Sequence, residues 1–137
     1  MYPAELTRPM AQELENIGFK SLHTVEEVDA ALDNTEGTTL LVVNSVCGCA
    51  AANARPGVFY SLQGDKKPDH LTTVFAGVDR EATAKAREYL LPYPPSSPSI
   101  ALFKDGRLVH FLERHHIEGR SADVIAANLK MAYEKYC

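Results

Sequence analysis

The feature that most constrains the fold is an apolar run near the middle of the chain. Residues 38–46 read Thr-Thr-Leu-Leu-Val-Val-Asn-Ser-Val, with apolar side chains at consecutive rather than alternate positions. A short run of this kind is typical of a parallel strand that is covered on both faces. It predicts a central strand over residues 38–46, with helices packed on both sides of a sheet.

Two cysteines follow this strand directly. Cys47 and Cys49 are separated by Gly48 and lead into an alanine-rich helical segment. The first turn of a helix carries unpaired N–H groups and the positive end of the helix dipole, so a thiol there is favoured as thiolate. The pKa of such a cysteine falls from about 8.5 into a range of roughly 3.5–7.5. We therefore predict redox chemistry in which Cys47 attacks a disulfide and Cys49 resolves the resulting mixed disulfide.

Length and composition limit the number of domains, the class of protein and its partners. A chain of 137 residues is expected to form one domain, spanning residues 1–137, and 45% hydrophobic residues are ordinary for a globular protein. The net charge of −4 argues against nucleic acid as the main partner, because phosphate binding needs a basic face. The sequence shows neither a membrane-length apolar run nor a signal pattern, so we expect no membrane partner and a cytoplasmic location.

The remaining elements are predicted from apolar periodicity and from breaking residues. A capping box at Thr24 and Glu27 opens the second helix, residues 34–37 end it, and Asp79 caps the fourth. Predicted helices cover 2–18, 25–32, 48–63, 80–91 and 122–136, and further strands cover 71–78, 99–104 and 108–113. The inward positions include Leu6, Leu14, Val28, Leu32, Ala82, Ala86, Leu90, Val124, Ile125 and Leu129.

These elements predict an α/β fold. The simplest arrangement is a mixed four-stranded sheet flanked by helices. Residues 1–36 form an N-terminal helical extension, and residues 38–136 form the core. The dithiol lies at the carboxyl end of its strand, where α/β folds place their sites.

Three features resemble the thioredoxin superfamily: the cysteine pair between strand and helix, Pro56 in the following helix, and the run Ser-Pro-Ser-Ile-Ala-Leu-Phe-Lys-Asp-Gly at residues 97–106. This chain departs from the usual pattern because one residue, not two, separates its cysteines and it has no tryptophan. The resemblance implies that Pro98 is cis and lies against the active thiol. The backbone of Ser97 would then pair with an extended substrate. The alternative is that the prolines of residues 92–98 only stiffen a loop.

Residues 44–56, Asn-Ser-Val-Cys-Gly-Cys-Ala-Ala-Ala-Asn-Ala-Arg-Pro, resemble the bacilliredoxin family of thioredoxin-fold proteins more closely. The Tyr2-Pro3 start, the Thr-Val-Glu-Glu segment and the terminal cysteine also fit. The resemblance implies removal of bacillithiol from S-thiolated proteins, disulfide isomerase-like activity, and Cys47 as the nucleophile resolved by Cys49. A bacillithiol-like low-molecular-weight thiol would be the co-substrate. S-thiolated proteins and a separate disulfide reductase would be the partners.

No bound cofactor is expected, because the sequence shows neither a ligand set nor a nucleotide-binding glycine pattern. A zinc site built from the cysteine pair with Cys137 or with His115 and His116 stays open, as does a scaffold function on the same fold. Burial of both cysteines as inert residues is a third reading. Cys137 itself is an additional resolver, an intermolecular bridge or a residue without a role.

For three other polar residues near the motif, the sequence allows two alternative roles or partners. Arg55 either helps to hold Cys47 as thiolate or is a surface arginine one turn later. Asn44 and Ser45 pair either with the loop backbone or with sulfur.

The short spacing of the motif predicts a strained, easily reduced disulfide, for which Gly48 supplies the backbone angles. We therefore expect a redox potential less negative than thioredoxin's value of about −270 mV.

The histidines carry little information in the sequence. His115 and His116 are predicted to lie in a solvated loop. His23, His70 and His110 have no partner pattern.

Overall fold

The computed structural model of the chain describes residues 2–33 and 35–137. Asn34, one of the residues predicted to end the second helix, lies outside this part. The described elements are, in chain order, α1 (Ala4–Glu15), β1 (Lys20–Ser21), α2 (Val25–Leu32), β2 (Thr38–Asn44), a π-helical turn (Ala50–Ala54), α3 (Arg55–Ser61), β3 (His70–Phe75), α4 (Arg80–Glu88), β4 (Ser99–Lys104), β5 (Arg107–Leu112), α5 (Arg114–Ile117) and α6 (Ala122–Tyr136).

The strands form one mixed sheet in the order β1-β3-β2-β4-β5. Strands β1, β3 and β2 are parallel to one another. Strand β4 runs antiparallel to β2, and β5 runs antiparallel to β4. All seven residues of β2 are buried, which confirms the predicted central strand. In register, Val43 of β2 pairs with Val74 of β3 on one side and with Ser99 of β4 on the other.

The predicted count of four strands is wrong, because β1 adds a fifth at the edge of the sheet. Lys20 and Ser21 pair with Thr72 and Thr73, and the Leu22 N–H donates to the Thr73 carbonyl at 2.8 Å. A two-residue polar strand has no alternating pattern, so its pairing depends on β3 rather than on its own sequence.

Two apolar cores lie on opposite faces of the sheet. Side chains alternate along β2, so Leu40 and Val42 face one core while Leu41 and Val43 face the other. The first core is completed by residues of α1, α3 and α6, and the second by residues of α2 and α4. Helix α1 therefore contributes to the same core as α3 and α6.

Most of the predicted inward positions are buried, with two exceptions. Leu6 is 45% exposed and Val124 is 51% exposed, because each lies at the edge of the apolar stripe of its helix. Asp79 is the N-cap residue of α4, as predicted, but its side chain makes no capping bond there. Its carboxylate lies 3.0 Å from Nδ1 of His23, and this hydrogen bond raises the pKa of the histidine.

The helix after the cysteines changes its winding before Pro56. A proline lacks the N–H that an α-helix needs at each interior position. Here the preceding turn, Ala50–Ala54, is π-helical, and α3 begins one residue before the proline. The predicted helical interruption at Pro56 thus takes the form of a wide turn, which is a frequent feature of functional sites.

The hairpin between β4 and β5 turns at two residues with positive φ. Asp105 has φ 51° and Gly106 has φ 82°, the combination that a two-residue type I′ hairpin requires. This confirms the predicted turn and the predicted bounds of β4. The short helix α5, which follows β5, was not predicted, and His115 and His116 lie in it rather than in a loop.

Candidate active site

The loop that carries the dithiol is held by a chain of hydrogen bonds from the end of β2. Oδ1 of Asn44 accepts from the Ser45 N–H at 2.9 Å, and Oγ of Ser45 accepts from the Cys47 N–H at 2.9 Å. Both side chains are buried. They therefore pair with the loop backbone, the first of the two arrangements considered from the sequence.

Arg55 is buried beneath this loop, so the alternative of a surface arginine is wrong. Its side chain is 3% exposed, and Nη1 donates to Oδ1 of Asn44 at 3.0 Å and to the Ser45 carbonyl at 3.1 Å. Its Nε donates to the Glu13 carboxylate at 3.1 Å. The guanidinium fixes the loop and ties it to α1, and so it acts on the shape of the site.

Cys47 directly precedes the helical stretch that begins at Gly48 and continues into the π-helical turn. Its carbonyl accepts from the Ala50 N–H at 2.9 Å and from the Ala51 N–H at 3.3 Å. Its Sγ accepts from the Cys49 N–H at 3.4 Å, as a capping side chain does. The sulfur thus lies where unpaired N–H groups and the helix dipole stabilise a negative charge.

The two thiols are unequal. Cys47 is half-buried, whereas Cys49 is buried, and both are free. A hydrogen bond from the Cys49 thiol lowers the pKa of Cys47, and the Cys49 N–H and the positive charge of Arg114 act in the same direction. Burial raises the pKa of Cys49, and the hydrogen bond and charge of Cys47 raise it further. The accessible sulfur is the better nucleophile at neutral pH, and the buried sulfur stays protonated.

Gly48 has an ordinary conformation between these thiols. Its φ lies outside the left-handed region, and a Cβ at this position would meet no atom within 4 Å. In the dithiol form the glycine therefore supplies no unusual backbone angle. The prediction that it does so when the disulfide closes stays a prediction.

The Ser97–Pro98 peptide bond is cis, as the resemblance implied, and so is Leu91–Pro92. Pro98 is buried, and Ser99 beside it pairs with Val43 of β2. The cis-proline therefore lies at the same end of the strands as the dithiol loop, next to the carboxyl end of β2. Ser97 is half-buried, and its carbonyl accepts from Nη1 of Arg114 at 3.4 Å.

Arg114 is the residue of this site that the sequence reasoning missed. It opens α5, far from the cysteines in sequence, and its backbone N–H donates to Oγ of Ser96 at 3.3 Å. Its Nη2 donates to the Glu118 carboxylate at 2.9 Å. An arginine after a predicted edge strand gives no signal in the sequence, because its place depends on the fold of the proline-rich segment.

Comparisons with known proteins agree with this geometry. The family described as Disulphide isomerase matches residues 2–137. A bacilliredoxin of Cytophaga hutchinsonii is 64% identical over 135 residues, which cover 98% of this chain and 99% of the relative. The chain belongs to the bacilliredoxin family. A second bacilliredoxin, of Halalkalibacterium halodurans, is 56% identical over 136 residues, which cover 99% of this chain and 94% of the relative.

Solved structures show the thioredoxin-like fold of this bacilliredoxin family member. Thioredoxin of Malassezia sympodialis matches with a TM-score of 0.57 at 11% identity, over 87% of this chain and 90% of that one. Plasmodium falciparum thioredoxin matches with a TM-score of 0.51 at 16% identity, over 86% and 99%. The fold and the family together support a role in thiol–disulfide oxidoreduction.

Cys137 lies far from the dithiol. Its thiol is next to Thr38 and near Asp69, at the end of β2 opposite to the one that leads into Cys47. The seven residues of β2 separate the two ends by roughly 20 Å. Within one molecule, Cys137 is therefore neither a resolver for Cys47 nor a ligand of a metal held by the cysteine pair.

The two histidines that were considered as zinc ligands, His115 and His116, form a cluster with Glu113 that does not include the cysteines. Among the described residues, Glu113, His115 and His116 offer ligand atoms within 4.8 Å of one another. Nδ1 of His116 already accepts from the Glu113 N–H at 3.0 Å. Partners of the other histidines come from distant elements. Nε2 of His110 lies 2.6 Å from Oδ1 of Asn128, and Nε2 of His70 lies 3.3 Å from the carbonyl oxygen of Glu36.

In the part of the chain that the structure describes, none of the helices has both the length and the apolarity that a membrane crossing requires.

Proposed function

We propose that this chain removes a low-molecular-weight thiol of the bacillithiol type from S-thiolated proteins. The observation that carries the proposal is the inequality of the two thiols. A half-buried sulfur with a lowered pKa is available to attack, and a buried sulfur with a raised pKa is held two residues away. This is the pairing that a nucleophile and its resolving cysteine need.

The proposed reaction begins with the Cys47 thiolate. It attacks the sulfur of the small thiol in the mixed disulfide, and the protein substrate leaves as thiolate. Cys49 then loses its proton and attacks Cys47, which releases the small thiol and leaves a Cys47–Cys49 disulfide. A separate disulfide reductase returns the pair to the dithiol. Attack on a protein disulfide by the same thiolate would give isomerase activity.

An extended substrate would dock at the cis-proline. Ser97 lies immediately before Pro98, and its backbone is the group that strand addition would use. In the free chain its carbonyl is covered by the Arg114 side chain. A substrate that pairs with this carbonyl must therefore displace one hydrogen bond of the arginine.

The proposal is tested by mass spectrometry of single variants. Full-length Cys47→Ala and Cys49→Ala proteins are incubated with a protein S-thiolated by bacillithiol. We expect the Cys49→Ala variant to retain the small thiol as a stable adduct on Cys47, because no resolver is left. The Cys47→Ala variant should acquire no adduct, and Cys137→Ala should turn over as the unsubstituted protein does. An adduct that persists without Cys47 would contradict the proposal.

A second candidate function, metal binding without catalysis, is favoured by the cluster of Glu113, His115 and His116. Zinc analysis of the purified protein separates the two. Stoichiometric zinc that is lost from the His115→Ala variant, in a protein without exchange activity, would support the metal-binding function. Reactive Cys47 in zinc-free protein would support the oxidoreductase.

A further inference from the structure

Arg114 places a positive charge on the segment that precedes the cis-proline. Its backbone N–H is bonded to Ser96, and its Nη1 is bonded to the Ser97 carbonyl. The first contact fixes the backbone of Arg114, and the second places its guanidinium at the Ser97 carbonyl. The side chain nevertheless stays 44% exposed, so a small molecule in solution can reach it.

This segment and the dithiol lie at the same end of the sheet, where β2 ends and β4 begins. Ser99 of β4 pairs with Val43 of β2, and β2 leads directly into the loop of Cys47. The positive charge acts on both thiols, since it stabilises the thiolates of Cys47 and Cys49. A small thiol bound through sulfur to Cys47 therefore lies within range of this positive charge.

We propose that Arg114 is a specificity-determining residue of this site, and that it favours mixed disulfides whose small thiol carries a carboxylate. This inference rests on the proposed function. A guanidinium has five N–H donors in a planar fork that matches a carboxylate. The bonds to Ser97 and Glu118 use two of them.

Glu118 holds the place that the substrate carboxylate would take. Its side chain is 59% exposed, and an exposed ion pair is weak and easily exchanged. A carboxylate on the small thiol would replace Glu118 as the partner of Arg114 when the sulfur reaches Cys47. A cationic thiol would instead be repelled by the guanidinium.

The chemical steps balance without a further reactant. The Cys47 thiolate forms a disulfide bond with the small thiol, while the bond between that thiol and the substrate protein breaks and the substrate sulfur leaves with the electron pair. Cys49 then loses its proton to solvent, its thiolate forms the bond to Cys47, and the small thiol leaves as thiolate. The carboxylate lies beside Arg114 through both steps and is unchanged.

The test uses one cysteine-containing peptide in mixed disulfides with three small thiols of different charge: 3-mercaptopropionate, 2-mercaptoethanol and cysteamine. Release of the peptide thiol by the full-length chain is followed at low ionic strength, and each rate is divided by the rate at which free 2-mercaptoethanol releases the peptide from the same compound, because thiol pKa also affects exchange. We expect the anionic compound to react about two- to five-fold faster than the neutral one, the range of an exposed charge pair, and the cationic compound to react slowest. Added salt should reduce the differences.

Variants assign the effect to Arg114. Arg114→Gln should abolish the order of the three rates, Arg114→Lys should keep it in part, and Glu118→Gln should widen it. Arg107→Gln is the matched control, because Arg107 is an exposed arginine at the opposite end of β4 and β5. The ratio of rates is the readout, since a changed pKa of Cys47 would scale all three rates together.

Two results would overturn the inference. Equal rates for the three compounds, with all of them dependent on Cys47, would overturn it and leave the proposed function intact. Failure of all three compounds to react would overturn the proposed function and the inference with it.

Discussion

Cys47 and Cys49 shift each other's pKa in opposite directions. The Cys49 thiol donates to the Cys47 sulfur, which lowers the pKa of Cys47 and raises its own. The hydrogen bond is strongest when Cys47 is charged, because a thiolate is the better acceptor. At the scale of residues, the resolving cysteine therefore also activates the nucleophile before any disulfide forms.

We predict that Cys49→Ala raises the pKa of Cys47. The rate of Cys47 alkylation by iodoacetamide follows the thiolate fraction, which falls as the pH drops through the pKa. The profile of the variant should therefore lie at higher pH, with slower alkylation near neutrality. Mass spectrometry of the alkylated peptides gives the rate for Cys47 alone.

Cys137→Ala is the control for this measurement, since Cys137 lies at the other end of the sheet. Its Cys47 profile should match that of the unsubstituted chain. Superimposed profiles for Cys49→Ala and the unsubstituted chain would contradict the predicted coupling.

The surroundings of the dithiol depend on both local and distant residues. The strand end, the glycine and the helix start locate the dithiol, because they are local signals. The environment of Arg55 is not local: its partners Glu13 and Asn44 come from α1 and β2. A buried arginine cannot be told from an exposed one without knowing which elements pack around it.

At the scale of elements, α3 approaches α6 closely at Gly57. A Cβ at this position would lie 2.6 Å from Cγ2 and 2.9 Å from Cβ of Ile125. These are distances that real side chains do not occupy, so either helix would have to move. The missing side chain lets the two helices pack closely at this point.

We predict that Gly57→Ala destabilises the chain by about 1–3 kcal/mol, the usual cost of overpacking a core. Gly48→Ala is the matched control, because a Cβ there meets nothing within 4 Å. It should be neutral or should stabilise by up to about 1 kcal/mol, since alanine loses less backbone freedom on folding. Urea unfolding of the reduced proteins measures both. Equal stabilities would refute the close approach.

The long periodic elements were predictable, and the short ones were not. Helix α6 and strand β4 have their predicted bounds, because caps, breakers and apolar spacing are all written in their own residues. β1 is two residues long and exists by pairing with β3. α5 is four residues long and carries no apolar stripe. Their positions are set by tertiary contacts, which no local pattern encodes.

At the scale of the whole molecule, the N-terminal segment is joined to the rest of the chain. Leu14 and Phe19 belong to the same core as Leu40 and Leu129. The Asn44 side chain donates to the Met10 carbonyl at 3.2 Å. Residues predicted to form an extension thus support both the core and the active-site loop.

We predict that Leu14→Ala lowers the free energy of unfolding by about 2–5 kcal/mol, as expected for a fully buried leucine. Leu6→Ala is the control on the same helix, and it should stay within about 0.5 kcal/mol because Leu6 is 45% exposed. Urea unfolding should show one transition, with circular dichroism and tyrosine fluorescence coinciding. An early, separate transition in the Leu14 variant would show that the segment folds by itself.

The position of Cys137 gives the molecule two chemically distinct ends. One end exchanges disulfides, and the other presents a lone sulfur beside Thr38. Two copies oxidised through their tails would be joined back to back, with both catalytic faces turned outward. The same tail is a natural handle for immobilising the chain on a surface with its reactive edge toward the solution.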